Sequence, residues 1–266
     1  MEAVKRNKET GIYEWAARCV DWCWGCEHNC RYCYARTMAI RAGKKTNETW
    51  TQMTLQSDVL EKNWQKVDGV TMLPGHHDIT PSILPESLMF IRRLVESGNK
   101  LLIVSKPHFE CIQAICQEFK PNEADIMFRF TMGNSDSKEL KYWEPGAPSF
   151  EERIACLIMA FKMGHKTSVS CEPLLTTDVD QTFDLVSKVE PWTTHSIWLG
   201  ALNKPEHRVI NETGEDNKKL NAVLQLQSKW PVLVYHHEYK DNPKIEWKDS
   251  FKKIIGIHFG REQVSN

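Results

Sequence analysis

Nine cysteines occur in the 266-residue chain, and five of them, Cys19, Cys23, Cys26, Cys30 and Cys33, fall within the single stretch CVDWCWGCEHNCRYC. Thiolates are the preferred ligands of Zn²⁺ and of iron–sulfur clusters. The spacing Cys-x3-Cys-x2-Cys occurs twice here, once as Cys19, Cys23, Cys26 and once as Cys26, Cys30, Cys33. The two sets share Cys26, so they cannot both be complete, independent sites. A structural zinc ion takes four ligands, and a zinc knuckle drawn from the same five cysteines is one reading. A cubane cluster held by three thiolates instead leaves one iron open to a small-molecule chelate, and that is the other.

Other chemistry-bearing residues make weaker cases. His76 and His77 lie in a turn-like PGHHDIT, where a histidine is either solvated or aimed at a ligand. His236, His237 and Glu238 look like metal ligands, but adjacent histidines on an extended segment point apart. Cys111, Cys116, Cys156 and Cys171 fall on apolar helices or strands, where inert buried thiols are the common case. Cys19 and Cys23 are surplus if the second triad holds the metal, and read as buried thiols. The ten tryptophans offer stacking surfaces for bases, although most large aromatics simply pack.

Lysine plus arginine number 34 against 35 aspartate plus glutamate, a formal charge of −1, so no general attraction to nucleic acid or anionic membrane follows. A local basic face remains compatible with that balance. No apolar run approaches the ~20 residues that span a bilayer. The opening MEAVKRNKETGIYEW is polar, unlike a secretory signal. The expected compartment is a reducing cytoplasm, where clustered cysteines bind metal or catalyse rather than cross-link.

The elements that must position these groups alternate. VTMLP (70–74), KLLIVSK (100–106), IMFRFTMG (126–133), TSVSCEPLL (167–175) and HSIWLGAL (195–202) read as strands. Helical periodicity runs through 84–98, 109–119, 149–164, 182–190 and 215–230, with Ser149 at an N-cap and Gly164 at a C-terminus. PVLVYHH (231–237) reads as a final extended segment, and ETGEDNKK (212–219) and EYKDNPK (238–244) as solvated loops. Strand–helix alternation implies a parallel sheet covered by helices. If it curls into a barrel, ligands meet the C-terminal ends of its strands. Ser168, Ser170 and Glu172 then share a face, as do Arg129 and Thr131 opposite Phe128 and Phe130. Polar side chains in a lumen imply either a polar ligand or an internally satisfied network.

The set Cys26, Cys30, Cys33, with Tyr32 just before the third cysteine, resembles the signature of the radical S-adenosylmethionine (SAM) superfamily. CRYCYA, LLIVSKPHFE, FRFTMGNS and WEPGAPSFEERIACL are similar, in order, to segments of spore photoproduct lyase and its relatives, over roughly residues 15 to 175. SVSCEPLL and the cysteine loop also resemble a broader radical SAM family common in phage and mobile elements.

The resemblance implies an α/β fold, a partial (β/α)6 TIM-type barrel. It assigns 1–266 to one radical SAM domain, with 1–14 an N-terminal extension, 15–202 the barrel core and 203–266 a C-terminal helix and closing segment. A [4Fe-4S] cluster bound by Cys26, Cys30 and Cys33 would chelate SAM, and reductive cleavage would give a 5′-deoxyadenosyl radical. Tyr32 would approach the adenine and Lys106 of VSKP the SAM carboxylate, with Ser105 beside it among the cofactor-binding residues. Asp78 would lie near the amino group, Thr131 beside SAM, and Glu172 near the ribose or amino group. Tyr34 and Lys106 are the catalytic candidates.

A flavodoxin- or ferredoxin-type donor is implied as partner. One departure stands out. The lyase-like hydrogen-donating cysteine before Asp78 is absent, the stretch being Gly75, His76, His77, Asp78, so dimer repair by that relay is not expected. The implied substrate is a nucleic-acid base or nucleotide. The alternatives are a small metabolite or peptide, or a non-enzymatic zinc module that binds nucleic acid.

Overall fold

The computed structural model describes residues 11–256. Its strands are β1 (Arg18–Cys19), β2 (Cys23–Trp24), β3 (Thr54–Leu55), β4 (Val70–Leu73), β5 (Lys100–Ser105), β6 (Ile126–Thr131), β7 (Lys166–Cys171), β8 (Ile197–Leu199) and β9 (Ile245–Trp247). Its helices are α1 (Tyr34–Arg41), α2 (Ser57–Leu60), α3 (Leu84–Glu96), α4 (Phe109–Glu118), α5 (Ser137–Trp143), α6 (Phe150–Lys162), α7 (Val179–Val189), α8 (Pro205–Arg208), α9 (Gly214–Leu226), α10 (Lys229–Tyr239) and α11 (Asp249–Ile255).

Seven strands form one parallel sheet in the order β1-β4-β5-β6-β7-β8-β9, while β2 and β3 pair as a separate antiparallel ribbon. The sheet has one strand more than the six of the expected barrel. Its two end strands, β1 and β9, are not paired with each other among the described residues, so the barrel is partial.

Alternation along the strands separates two environments. Phe128, Phe130, Val169 and Ile197 are fully buried in the main core together with Ile112, Ile115 and Leu157 of the covering helices. Burying each such side chain contributes about 1.5–3 kcal/mol. Arg129 stands opposite Ser168 in the register of β6 and β7, on the other face, and its Nε donates to Ser168 Oγ at 2.9 Å. Trp15 and Trp198 cover its guanidinium, with ring centroids 4.5 Å and 5.3 Å away. The polar lumen is thus largely an internal network.

Helix starts follow capping chemistry. Ser149 Oγ accepts from Glu152 N at 3.3 Å at the head of α6. Thr213 and Asp216 form a reciprocal capping box at the head of α9, so ETGEDNKK is a helix start rather than a loop.

PVLVYHH is also corrected. It lies inside helix α10, with Val232 and Tyr235 buried, and the closing strand β9 follows it instead. Pro231 falls in the first turn, where an N–H has no helical partner to lose, and the three-residue spacing of Val232 and Tyr235 outweighs the β-branched run. His236 and His237 therefore sit on a helix, and His236 packs near Trp247 at 5.6 Å.

Candidate active site

The cysteine loop follows β1 and is wound by two tight turns. Asn29 N donates to Cys26 O at 3.4 Å, and Cys33 N to Cys30 O at 3.2 Å. Asn29 takes a left-handed φ of 49°, a conformation asparagine tolerates better than most residues. Cys33 is the N-cap of α1, its Sγ accepting from Arg36 N at 3.4 Å, so the helix terminus faces a sulfur that would be anionic as a metal ligand. Cys26 and Cys30 are each 5 % exposed, and burial raises the pKa of all three thiols. The three sulfurs lie close enough that charge on Cys30 and Cys33 raises Cys26 further.

Asp78 is the hub beside this loop. Its Oδ1 accepts from Ser105 Oγ at 3.0 Å and from the Lys106 backbone N–H at 2.8 Å. Its Oδ2 lies 2.8 Å from His28 Nδ1, 3.6 Å from Lys106 Nζ and 3.8 Å from Cys26 Sγ. Burial alone would raise this carboxyl, yet Lys106 and His28 hold it well below the usual range. Burial would lower Lys106, but Asp78, then Cys30 and Tyr32, keep it well above its ordinary value. His28, wholly buried, passes the network on: its Nε2 lies 2.9 Å from His108 Nε2.

Tyr32 and Glu144 close the opposite side. The Tyr32 hydroxyl donates to Glu144, whose other oxygen accepts from Arg153. Both Glu144 and Arg153 are fully buried, and Arg153 also donates to Thr131 O at 3.0 Å and Pro148 O at 2.9 Å. The Tyr32 ring lies 5.9 Å from Lys106 Nζ. The segment before α6 also braces the loop directly. Gly146 N donates to His28 O at 2.9 Å, and a Cβ there would stand 2.2 Å from Glu27 O.

Tyr34, the first residue of α1, donates its hydroxyl to the Gly75 carbonyl just beyond β4. Cys19 occupies the space beside that glycine, since a Cβ on Gly75 would lie 2.3 Å from Cys19 Sγ. Cys19 is half-buried and Cys23 buried, so the expectation of two buried thiols holds fully only for Cys23. The Gly75 and His76 N–H groups both donate to Asp21 Oδ1, at 2.7 and 2.6 Å, and His76 Nδ1 lies 2.6 Å from Asp21 Oδ2. His76 is therefore paired rather than solvated, and His77, 5 % exposed, packs edge-on against Trp22 at 4.6 Å.

The remaining residues fall along the strand ends. Thr131 closes β6. Glu172 follows β7, accepts from Asn203 Nδ2 at 3.2 Å and lies 3.6 Å from Lys248 Nζ. Burial raises its pKa. Cys26, Cys30, Cys33, Tyr32, Asp78, Ser105 and Lys106 thus converge on one centre. Tyr34 stands at its edge, and Glu172 belongs to a separate pairing with Lys248. Reading the sequence did not single out His28, Glu144 or Arg153. The available signal was placement: His28 sits within the cysteine loop, Glu144 opens EPGAPSF, and Arg153 lies three residues beyond it.

The donor set fits an iron–sulfur cluster better than a closed metal site. Cys26, His28 and Asp78 do bring three donor atoms within 4.8 Å of one another. Both ring nitrogens of His28 are already in hydrogen bonds, and Lys106 shares Asp78 Oδ2, which opposes a cation there. Two buried thiols and a partly buried third, beside a lysine ammonium, are a suitable cradle for an anionic thiolate-ligated cluster.

A 4Fe-4S single cluster domain family matches residues 15–128. No curated protein resembles the chain closely enough in sequence to count as a match. The fold is similar to spore photoproduct lyase, as a variant with a dinucleoside spore photoproduct, at TM-score 0.54 and 14 % identity over 92 % of this chain and 80 % of that one. It is also similar to Streptococcus suis SuiB bound to S-adenosylmethionine, at TM-score 0.51 and 10 % identity, over 88 % of this chain but 48 % of SuiB. SuiB bound to its precursor peptide SuiA gives TM-score 0.51 and 11 % identity, over 88 % and 49 % of the two chains. The chain thus carries a match to a 4Fe-4S single cluster domain over residues 15–128 and shares its fold with spore photoproduct lyase and SuiB.

Proposed function

We propose that the chain is a radical SAM enzyme that abstracts hydrogen from a nucleic-acid base or nucleotide, with Cys26, Cys30 and Cys33 as the cluster ligands. The carrying observation is the convergence of those thiols with Asp78 and Lys106 at the strand ends. A bound, reduced [4Fe-4S] cluster with SAM supplies a carbon-centred radical, and the protein's part is to bind, orient and exclude water.

In this reading Lys106 faces the SAM carboxylate and Ser105 orients Asp78. Asp78, saturated by Ser105, Lys106 and His28, acts on SAM chiefly by holding Lys106 in place. The Tyr32 ring borders the adenine while its hydroxyl is held by Glu144. Thr131 and Glu172 border the same mouth from β6 and β7. Tyr34 reaches the substrate side of the loop. A flavodoxin or ferredoxin supplies the electron, consistent with a cytoplasmic location, and no helix among the described residues is long and apolar enough to cross a membrane.

The nucleotide substrate is supported by the dinucleoside carried by the similar lyase. The second reading, a peptide, is favoured by SuiB with its precursor peptide. Anaerobic reconstitution followed by reaction with SAM and dithionite tests both. A brown protein absorbing near ~400 nm that yields 5′-deoxyadenosine supports the enzyme. Mass analysis of products from DNA, nucleotides and peptides then separates the substrates. A colourless protein that retains only zinc would overturn the assignment.

A further inference from the structure

The cluster loop is flanked by a cavity of about 260 Å³ between α1 and α8, lined by Tyr34, Thr37, Arg41, Lys204, His207 and Arg208. We propose that this cavity binds a phosphate group of the substrate. The inference rests on the reading of the substrate as a nucleotide or nucleic acid and adds the group by which it is held.

Three observations carry it. First, the chain as a whole has a formal charge of −1, yet this lining holds three permanent cations, an imidazole and no carboxylate. Second, Arg41, Lys204 and Arg208 have no carboxylate or hydrogen-bond partner for their side chains among the described residues, whereas Arg31, Arg92, Arg153, Lys188 and Lys219 all have acidic partners. The carboxylate nearest in sequence, Glu206, faces His207 at 3.5 Å and does not line the cavity. Cations gathered without counter-charge repel one another, and a bound anion relieves that repulsion. Guanidinium groups match the oxygens of a phosphate, and the resulting charge-assisted bonds are the strong ones.

Third, the cavity opens beside the reacting centre. Tyr34 lines it, immediately follows Cys33, and carries the Arg208 guanidinium 5.7 Å from its ring centroid. A phosphate held there leaves the attached sugar and base one side chain from the cysteine loop. Lys204 is set by a left-handed backbone, φ 52°, directly before Pro205 opens α8, which fixes where its side chain leaves the chain.

The test is equilibrium binding to the cluster-loaded protein without reductant, so that no turnover is needed. Thymidine, thymidine 5′-monophosphate and a short fluorescent single-stranded oligonucleotide are the probes. The monophosphate is expected to bind about tenfold or more tightly than thymidine, a difference of about 1.4 kcal/mol. Arg41→Gln/Arg208→Gln should abolish that preference. Lys100→Gln/Lys166→Gln, the same charge change at the N-terminal ends of β5 and β7, should preserve it.

If the oligonucleotide alone gains from the cations, the phosphate belongs to a nucleic-acid backbone; if the monophosphate gains equally, it belongs to a free nucleotide. Iron content and thermal midpoint report whether each variant is folded, and Lys204→Gln serves if the double variant is not. Equal affinity for thymidine and its monophosphate would overturn the phosphate site. It would leave the nucleoside reading standing, whereas modification of a peptide instead would overturn that reading as well.

Discussion

His28 Nδ1 lies 2.8 Å from Asp78 Oδ2, the same oxygen that Cys26 Sγ approaches at 3.8 Å. A histidine from within the cysteine loop and a carboxylate from beyond β4 are thus joined at the first proposed ligand. Removing the imidazole leaves one side of a buried carboxylate unanswered. His28→Ala is expected to cost the metal-free protein about 1–3 kcal/mol in urea unfolding and to lower iron retained after reconstitution. Unchanged stability and iron content together would show that the contact does not brace the loop.

Glu144 and Arg153 form a fully buried pair that also receives the Tyr32 hydroxyl. Breaking one side of a buried pair costs more than replacing both. Arg153→Met should therefore destabilise by about 3–5 kcal/mol, and Glu144→Gln/Arg153→Met by clearly less. Tyr32→Phe should lose about 1.5–3 kcal/mol, the worth of a hydrogen bond to a charged group. Urea midpoints of the three variants decide it, and a double variant worse than the single one would refute the pairing argument.

The contrast between these two clusters shows what was legible beforehand. The strands from Val70 to Leu199 and the cysteine spacing could be read because period-two patterning and ligand spacing are local. The roles of His28, Glu144 and Arg153 depend on contacts across 50, 112 and 9 positions of chain, to Asp78, Tyr32 and Glu144 respectively. No local pattern encodes such contacts. The Arg129–Ser168 face was legible from alternation, but Trp15, which covers Arg129, comes from a segment with no periodicity. PVLVYHH was misread because its β-branched run mimics a strand while a helical spacing of its buried residues decides the outcome.

Gly75 and Cys19 make a space-filling pair. Gly75→Ala would place a methyl 2.3 Å from Cys19 Sγ, a clash that must turn the Cys19 side chain or move β1 or the turn holding Tyr34. The expected loss is about 1–3 kcal/mol, as for overpacking elsewhere. Cys19→Ala in the same chain should recover most of it, because the obstructing atom is the sulfur itself. Thermal melts of the two single variants and the double variant read this directly, and additive losses would contradict it.

The Asp21–His76 contact gives a signed pH dependence. The Asp21 side-chain hydrogen bond raises the pKa of His76. Burial would raise Asp21, but His76 outweighs it and holds Asp21 below the usual carboxylate range. The His76 contribution is fully present below its unfolded value of about 6.5 and is lost as pH rises through the folded one. The Asp21 contribution is present above about 3.9 and is lost as pH falls. The stability difference between the wild type and His76→Asn should thus be largest between about pH 4 and 6.5 and shrink on both sides. A difference that grows towards pH 8 would reverse the assignment.

Lys248 ties the segment before β1 to the strand at the sheet's other edge. Its Nζ lies 2.7 Å from Glu14 Oε1, 3.2 Å from the Gly11 carbonyl oxygen it donates to, and 4.2 Å from the Trp15 ring centroid. It immediately follows β9, whereas Glu14 and Trp15 precede β1, so one buried ammonium spans the gap between the unpaired end strands. Lys248→Met keeps most of the side-chain volume and removes the charge, leaving Glu14 and Glu172 without their cation at a cost of about 3–5 kcal/mol. The loss is local in origin, so hydrogen exchange should quicken in residues 11–19 before it quickens in α6. Uniform acceleration across both would mean that the lysine supports the whole barrel rather than its seam.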